Sequence, residues 1–235
     1  MRRRFNIGEF YYLFNKGVDK RKIYLEKGDY GRFIYDLYEF NDVKPASQFR
    51  NVGRATLPIG RQASNIEKRK REPLIDIQAF VLMPNHHLLM ASQIQQNGLP
   101  LFMRKLHGGY SRYFNNKYKR NGHLFQGVFK HKHVKDDIHL GFLICYIQAK
   151  PLDLWKSNWE EKQLTDQEIK QALKFLEKYK WSSHRDYLGI KTYPSVISKQ
   201  FLLEFFDGTK GYKEFFINWL RQYKKNIKYL NEYLF

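Results

Sequence analysis

Two histidine pairs and one tyrosine are the residues in this chain whose types and spacing could do chemistry. In "VLMPNHHLLM", His86 and His87 are adjacent at the start of an apolar run that reads as a buried strand. Two imidazoles aimed at one point, with a third polar ligand and open positions, would hold Mg2+ or Mn2+ against a phosphate and polarise it for attack. Neighbouring side chains on a strand point to opposite faces, so this pair shares an ion only if the backbone bulges. A histidine at a strand end also serves as an ordinary structural residue. In "KHKHVK", His131 and His133 have the spacing that puts both on one strand face, but the residue between them is the cation Lys132. That composition suits a phosphate-contacting or solvated surface better than a metal centre.

The tyrosine lies in "CYIQAKPLDLW", where Tyr146 is followed one helical turn later by Lys150 on the same side. A phenol beside a bound phosphate can attack it, forming a phosphotyrosine that conserves the ester's energy for a later rejoining step. In so apolar a run, a tyrosine is also a common core residue. Cys145 is the single cysteine, which excludes a disulfide framework or a cysteine zinc site within one chain and suits a reducing cytoplasm.

The rest of the chain must position these groups. Its 235 residues are 43% hydrophobic, enough for a core, and 42 Lys and Arg against 23 Asp and Glu leave a formal charge of +19. The basic residues are spread along the chain. Such a field attracts polyanions, and the 17% aromatic content offers flat faces on which unpaired bases stack, so nucleic acid is the first partner to expect. No run approaches the roughly 18 apolar residues of a membrane span, so no membrane partner is expected.

Periodicity predicts a strand in "EFYYLFNKG", a helix from Asp29 with that residue as N-cap, and strands in "LIDIQAFVLMP" and "HHLLMAS". A long amphipathic helix from Leu99 carries Arg104, Lys105, Arg112 and Lys117 on its other faces. "GVFKHKHVK" reads as a further strand, and Asp136 or Asp137 can cap a helix that runs through Tyr146 to the stop at Pro151. Residues 43–71 show no sustained period and read as a loop or insertion. Beyond Pro151, a capping-box pattern at Thr165 and Glu168 opens a series of basic, aromatic helices. The order βαββαβα suggests an α+β fold, an antiparallel sheet with helices on one face. The expected division is a domain over 1–155 and a helical extension over 156–235.

Taken in order, "FNKGVDKRKIYLEKGDYGRFIYDLYEF", "REPLIDIQAFVLMPNHHLLM", "FMRKLHGGYSRYFNNKYKRNGHLFQGVFK" and "CYIQAKPLDLW" resemble the single-tyrosine HUH (His-hydrophobe-His) transposases, in particular the REP-associated tyrosine transposase-like group. The likeness extends through "WSSHRDYLG" and covers most of the chain. It implies a ferredoxin- or RRM-like antiparallel sheet that binds single-stranded or hairpin DNA, nicks it through a 5′-phosphotyrosine on Tyr146, and uses Mg2+ or Mn2+ held by His86 and His87. It also implies DNA contacts from Arg104, Lys105, Arg112, Lys117, Gln126 and Lys130, with a homodimer as an option. Three positions depart from the family pattern. "NHHLL" lacks the hydrophobe between the histidines, Lys150 stands where a neutral third ligand is expected, and Val128 replaces a basic residue. Lysine donates only and opposes a divalent ion, leaving Lys150 to neutralise the scissile phosphate or Gln148 to substitute as ligand. A DNA-binding protein that keeps the fold without catalysis is therefore the alternative reading, and an RRM-like RNA binder is a third.

Overall fold

The computed structural model describes residues 5–45, 71–231 and 233, so most of the 43–71 segment lies outside the described residues. Its first part runs β1 (Phe10–Lys16), α1 (Lys27–Glu39), β2 (Ile75–Met83), β3 (His86–Gln93), α2 (Gly98–Lys117) and β4 (Lys130–His133). The four strands form one sheet in the order β2-β3-β1-β4, and every neighbouring pair is antiparallel. Next come α3 (Asp137–Ala149), α4 (Asp166–Lys178), α5 (His184–Tyr187), α6 (Lys199–Phe205), α7 (Gly208–Arg221) and α8 (Tyr223–Tyr229).

Helices cover both faces of the sheet, not one as its pattern suggested. On one side Leu13, Ile77, Phe80, Leu82, Leu89 and Ala91 pack with Phe33 of α1 and Phe102, Leu106 and Tyr110 of α2. On the other, Tyr12, Ala79, Val81, Leu88 and Met90 pack with Ile144 and Ile147 of α3 and with Phe216 and Trp219 of α7. This second layer explains why β2 and β3 are continuously apolar where a half-exposed strand would alternate. It also explains α3, whose Leu140, Leu143, Ile144, Cys145 and Ile147 are all buried. A helix that is apolar all round must be enclosed, here between the sheet and the C-terminal helices.

A register shift between Ile77 and Ala79 marks a bulge at Gln78. The extra residue reverses the alternation: Ile75 and Ile77 face α1 and α2, whereas Ala79, Val81 and Met83 face α3. Gln78 is buried there, its side chain donating to Ser92 Oγ at 3.1 Å and its carbonyl accepting from the Tyr187 hydroxyl at 3.0 Å.

Asp29 is the third residue of α1, not its N-cap; Glu26 is the cap and the two form a capping box. The Asp29 carboxylate is fully buried and accepts from Leu25 N (2.8 Å), Glu26 N (3.1 Å), the Tyr113 hydroxyl (2.9 Å), Lys117 Nζ (2.7 Å) and the Tyr118 hydroxyl (2.7 Å). Burial alone would raise its pKa, but these donors, Lys117 foremost, hold it below the usual carboxylate range. The start of α1 is thereby tied to the end of α2. The expected caps Asp136, which accepts from His139 N, and Thr165 with Glu168 are both present.

The boundary expected at residue 155 is crossed by shared core and by backbone pairing. Leu82 N donates to Trp181 O at 2.8 Å and Ser183 N to Phe80 O at 3.0 Å, so residues 181–183 run along the outer edge of β2. Ser183 Oγ also accepts from Phe80 N at 3.0 Å.

Candidate functional site

Strand β3 separates the two histidines. Its ladder with β1 runs without interruption from His86 opposite Lys16 to Ser92 opposite Phe10, so no bulge intervenes between Asn85 and Leu88. His86 shares the face of Leu88 and Met90, toward α3; His87 shares the face of Leu89 and Ala91, toward α1 and α2. His86 Nδ1 lies 2.7 Å from Asn85 Oδ1, an acceptor, which assigns the proton to Nδ1 and leaves Nε2 bare. Burial, reinforced by the charge of Lys150, lowers its pKa to about 4. His87 is 0% exposed, its ring packed on Phe33 and Phe125, and its Nε2 is 3.1 Å from Nε2 of His107 on α2.

Tyr146 lies on α3 on the same side of the sheet as His86. Lys150 Nζ is 5.3 Å from the centre of its ring, 2.7 Å from Asp153 Oδ2 and 3.6 Å from Glu160 Oε1. Burial pushes the Tyr146 hydroxyl up from its ordinary range, and the Lys150 ammonium draws it part of the way back. Tyr223 of α8 packs its ring against Trp159 at 4.6 Å, and burial together with the nearby Glu160 carboxylate pushes its hydroxyl up. Lys150, Asp153 and Glu160 together carry a net charge of −1. Gln148 is turned elsewhere, donating to Ser183 Oγ at 2.7 Å.

These residues do not fit Mg2+ or Mn2+. The expected ligands His86 and His87 lie on opposite faces, and the neighbour of the remaining imidazole is an ammonium already paired with two carboxylates. Among the described residues no group of three or more His, Cys, Asp or Glu is placed to hold a metal ion. Adjacent residues of a period-2 element point half a turn apart, and the uninterrupted ladder leaves the two imidazoles so arranged.

The residues expected to contact DNA divide by environment. Arg104, Arg112, Gln126 and Lys130 are exposed. Lys105 donates to the carbonyls of Asp42 and Lys44, and Lys117 to Asp29 and Glu26, so the charges of both are engaged within the protein. On β4, His133 Nε2 is 2.6 Å from Glu9 Oε2 and His131 packs against Phe5 at 4.7 Å. They pair with Tyr11 and Leu13 on the α1–α2 side of the sheet, away from Tyr146. Sequence reasoning missed His107, although it lies four residues after Met103 and three before Tyr110 and so borders the apolar stripe of α2. It also missed Asp153 and Glu160; an acid three residues after Lys150 on a continuing helical turn was the available signal.

A βαββαβ chain order with the strands arranged β2-β3-β1-β4 defines the ferredoxin-like class of α+β folds, here with a further helical layer. No protein-family model matches the chain, and neither does any curated protein. Among solved structures, that of a REP-associated tyrosine transposase bound to a REP hairpin is similar with a TM-score of 0.47 and 11% sequence identity, over 84% of this chain and 90% of that chain. Among the described residues no helix is long and apolar enough to cross a membrane.

Proposed function

We propose that this protein binds single-stranded or hairpin DNA on a transposase-like scaffold without metal-dependent cleavage. The observation that carries this reading is the divergence of His86 and His87 across β3, together with the pairing of Lys150 to Asp153 and Glu160 where a metal ligand was expected. Support for the binding half comes from the formal charge of +19 and from the exposed Arg104, Arg112, Gln126 and Lys130. The order of the sequence motifs points to the same substrate class.

A second reading, DNA nicking and strand transfer through Tyr146, is favoured by one observation: the phenol has an ammonium within reach of its ring, 5.3 Å from its centre. In that reading the Tyr146 oxygen attacks phosphorus and the 3′ oxygen of the scissile bond leaves with a proton. The net negative charge around the phenol opposes the approach of a phosphate. Incubation with end-labelled hairpin DNA, with and without Mn2+, followed by denaturing electrophoresis separates the two readings. Salt-sensitive binding with no covalent adduct supports the first. An adduct that disappears in Tyr146→Phe establishes the second, and an adduct that also requires Mn2+ overturns the conclusion drawn from the histidines.

A further inference from the structure

A cleft of about 1100 Å3 lies on the α1–α2 side of the molecule, between α2 and residues 122–129. It is remote from Tyr146, across the sheet, and larger than the roughly 300–1,000 Å3 that encloses a small molecule. From α2 it is lined by Arg104, His107 and Ser111, at spacings of three and four that place them on one side of the helix. The opposite wall presents His123, Phe125 and Val128, the last 68% exposed. Among the described residues no carboxylate lines it. Its polar side chains are a guanidinium, imidazoles, a hydroxyl and an amide; the remainder is apolar or glycine.

The walls are already in place. Residues 122–129 are held to the end of β1, with Val18 N donating to Leu124 O (3.0 Å), Gln126 N to Lys16 O (2.8 Å) and Asn15 Nδ2 to Gly127 O (3.2 Å). Gly122 and Gly127 take φ of +84° and +67°, conformations that a side chain resists. On the facing wall the His107 ring is stacked on Phe125 at 4.2 Å and fixed by His87. The partnerless buried Nδ1 of His87 settles the tautomers, because a bare acceptor there is less costly than an unsatisfied N–H. His87 Nε2–H therefore donates to His107 Nε2, and His107 keeps its Nδ1–H as a donor.

A preformed cleft with no carboxylate among its described lining residues, donors on one wall and apolar and aromatic groups on the other matches a ligand with anionic groups and flat apolar faces. We infer that it takes unpaired nucleotides of a DNA strand, with a phosphate at Arg104 and bases against the exposed His123 and Val128. Residues 128 and 129 lead directly into β4, so the strand's path continues from the cleft past exposed Lys130. This rests on the DNA-binding reading and adds to it a place for the single-stranded part.

The test compares a blunt DNA hairpin with the same hairpin carrying a six-nucleotide 5′ or 3′ tail, by fluorescence anisotropy with the full chain at low salt. Wild type should bind one tailed form about tenfold or more tighter than the blunt one. Arg104→Glu, and Ser111→Trp, which fills the cleft, should bring tailed affinity down to the blunt value. Lys170→Glu, the same charge change on exposed α4, should leave the tail-to-blunt ratio intact. A ratio near one in wild type, or one that survives both cleft variants, overturns the cleft assignment while leaving DNA binding standing. Absence of binding to all hairpins overturns the DNA-binding reading and the cleft assignment with it.

Discussion

Acid should unfold this protein through histidines that the fold holds neutral. Burial lowers the pKa of four histidines, to about 4 for His86, to about 3 for His107 and His184, and well below the ordinary value for His87. An unfolded histidine takes a proton near pH 6.5, so below that point the unfolded chain binds protons that the native state refuses. The stability contribution is complete above pH 6.5 and is lost as the pH falls through that value. At pH 5 the gap is about 1.5 pH units, or about 2 kcal/mol per residue and about 8 kcal/mol for the four. That is a large share of the 5–15 kcal/mol typical of a folded domain. Asp36 works in the opposite direction. Burial raises its carboxyl to about 7 in spite of Arg32 at 2.8 Å, so the native state gains a proton as the pH falls and recovers about 2–3 kcal/mol between pH 8 and 5. The clean measurement therefore uses Asp36→Asn: urea midpoints by tryptophan fluorescence at pH 8, 7, 6 and 5. A loss of about 8 kcal/mol is expected, about a quarter of it removed by His87→Leu. A loss below about 1 kcal/mol would show that these imidazoles find protons, partners or water in the native state, and would refute the reasoning.

Three further outcomes follow from other features. Asp29→Asn should destabilise by about 3 kcal/mol at neutral pH by leaving Lys117 without its buried partner, and the deficit should shrink as acid protonates the native carboxylate; parallel denaturation of the two proteins checks both. Gly98→Ala should cost about 1–3 kcal/mol in the same assay, because a Cβ there meets the carbonyl of Leu74. Binding to hairpin DNA should weaken steeply between 50 and 200 mM salt, by about 10³-fold if six phosphates are neutralised; a flat titration would exclude a polyelectrolyte contact.

The antiparallel sheet with helices packed on it was legible because apolar runs bounded by turn residues mark β2 and β3, because α2 has a clear helical period, and because Asp136 and Thr165 are explicit caps. The second helical layer was written in the sequence as well, in the absence of any polar face on α3, but an apolar run does not say what encloses it. The bulge at Gln78 left no local signal: "IDIQAF" alternates through it, and only the reversal of faces reveals it. At the candidate site, strand alternation was enough to anticipate that His86 and His87 diverge. What it could not supply were partners far along the chain. Lys117 has the sequence appearance of a DNA-facing cation, yet its ammonium meets a carboxylate 88 residues away, and the pairing of His87 with His107 depends on how α2 docks.

The strip at residues 181–183 bears on how the chain comes off the ribosome. β2 is an outer strand, and the backbone groups of Phe80 and Leu82 that Trp181 and Ser183 engage have no sheet neighbour of their own. During synthesis about a hundred residues separate the emergence of β2 from that of its cover, an interval of several seconds at ordinary elongation rates. Through that time the nascent sheet presents a long, apolar, untied border, the kind of template on which other chains add. A chaperone that shelters this border until α5 has been made would raise the yield of native protein, and interrupted translation products ending before residue 180 would be the species most prone to aggregate.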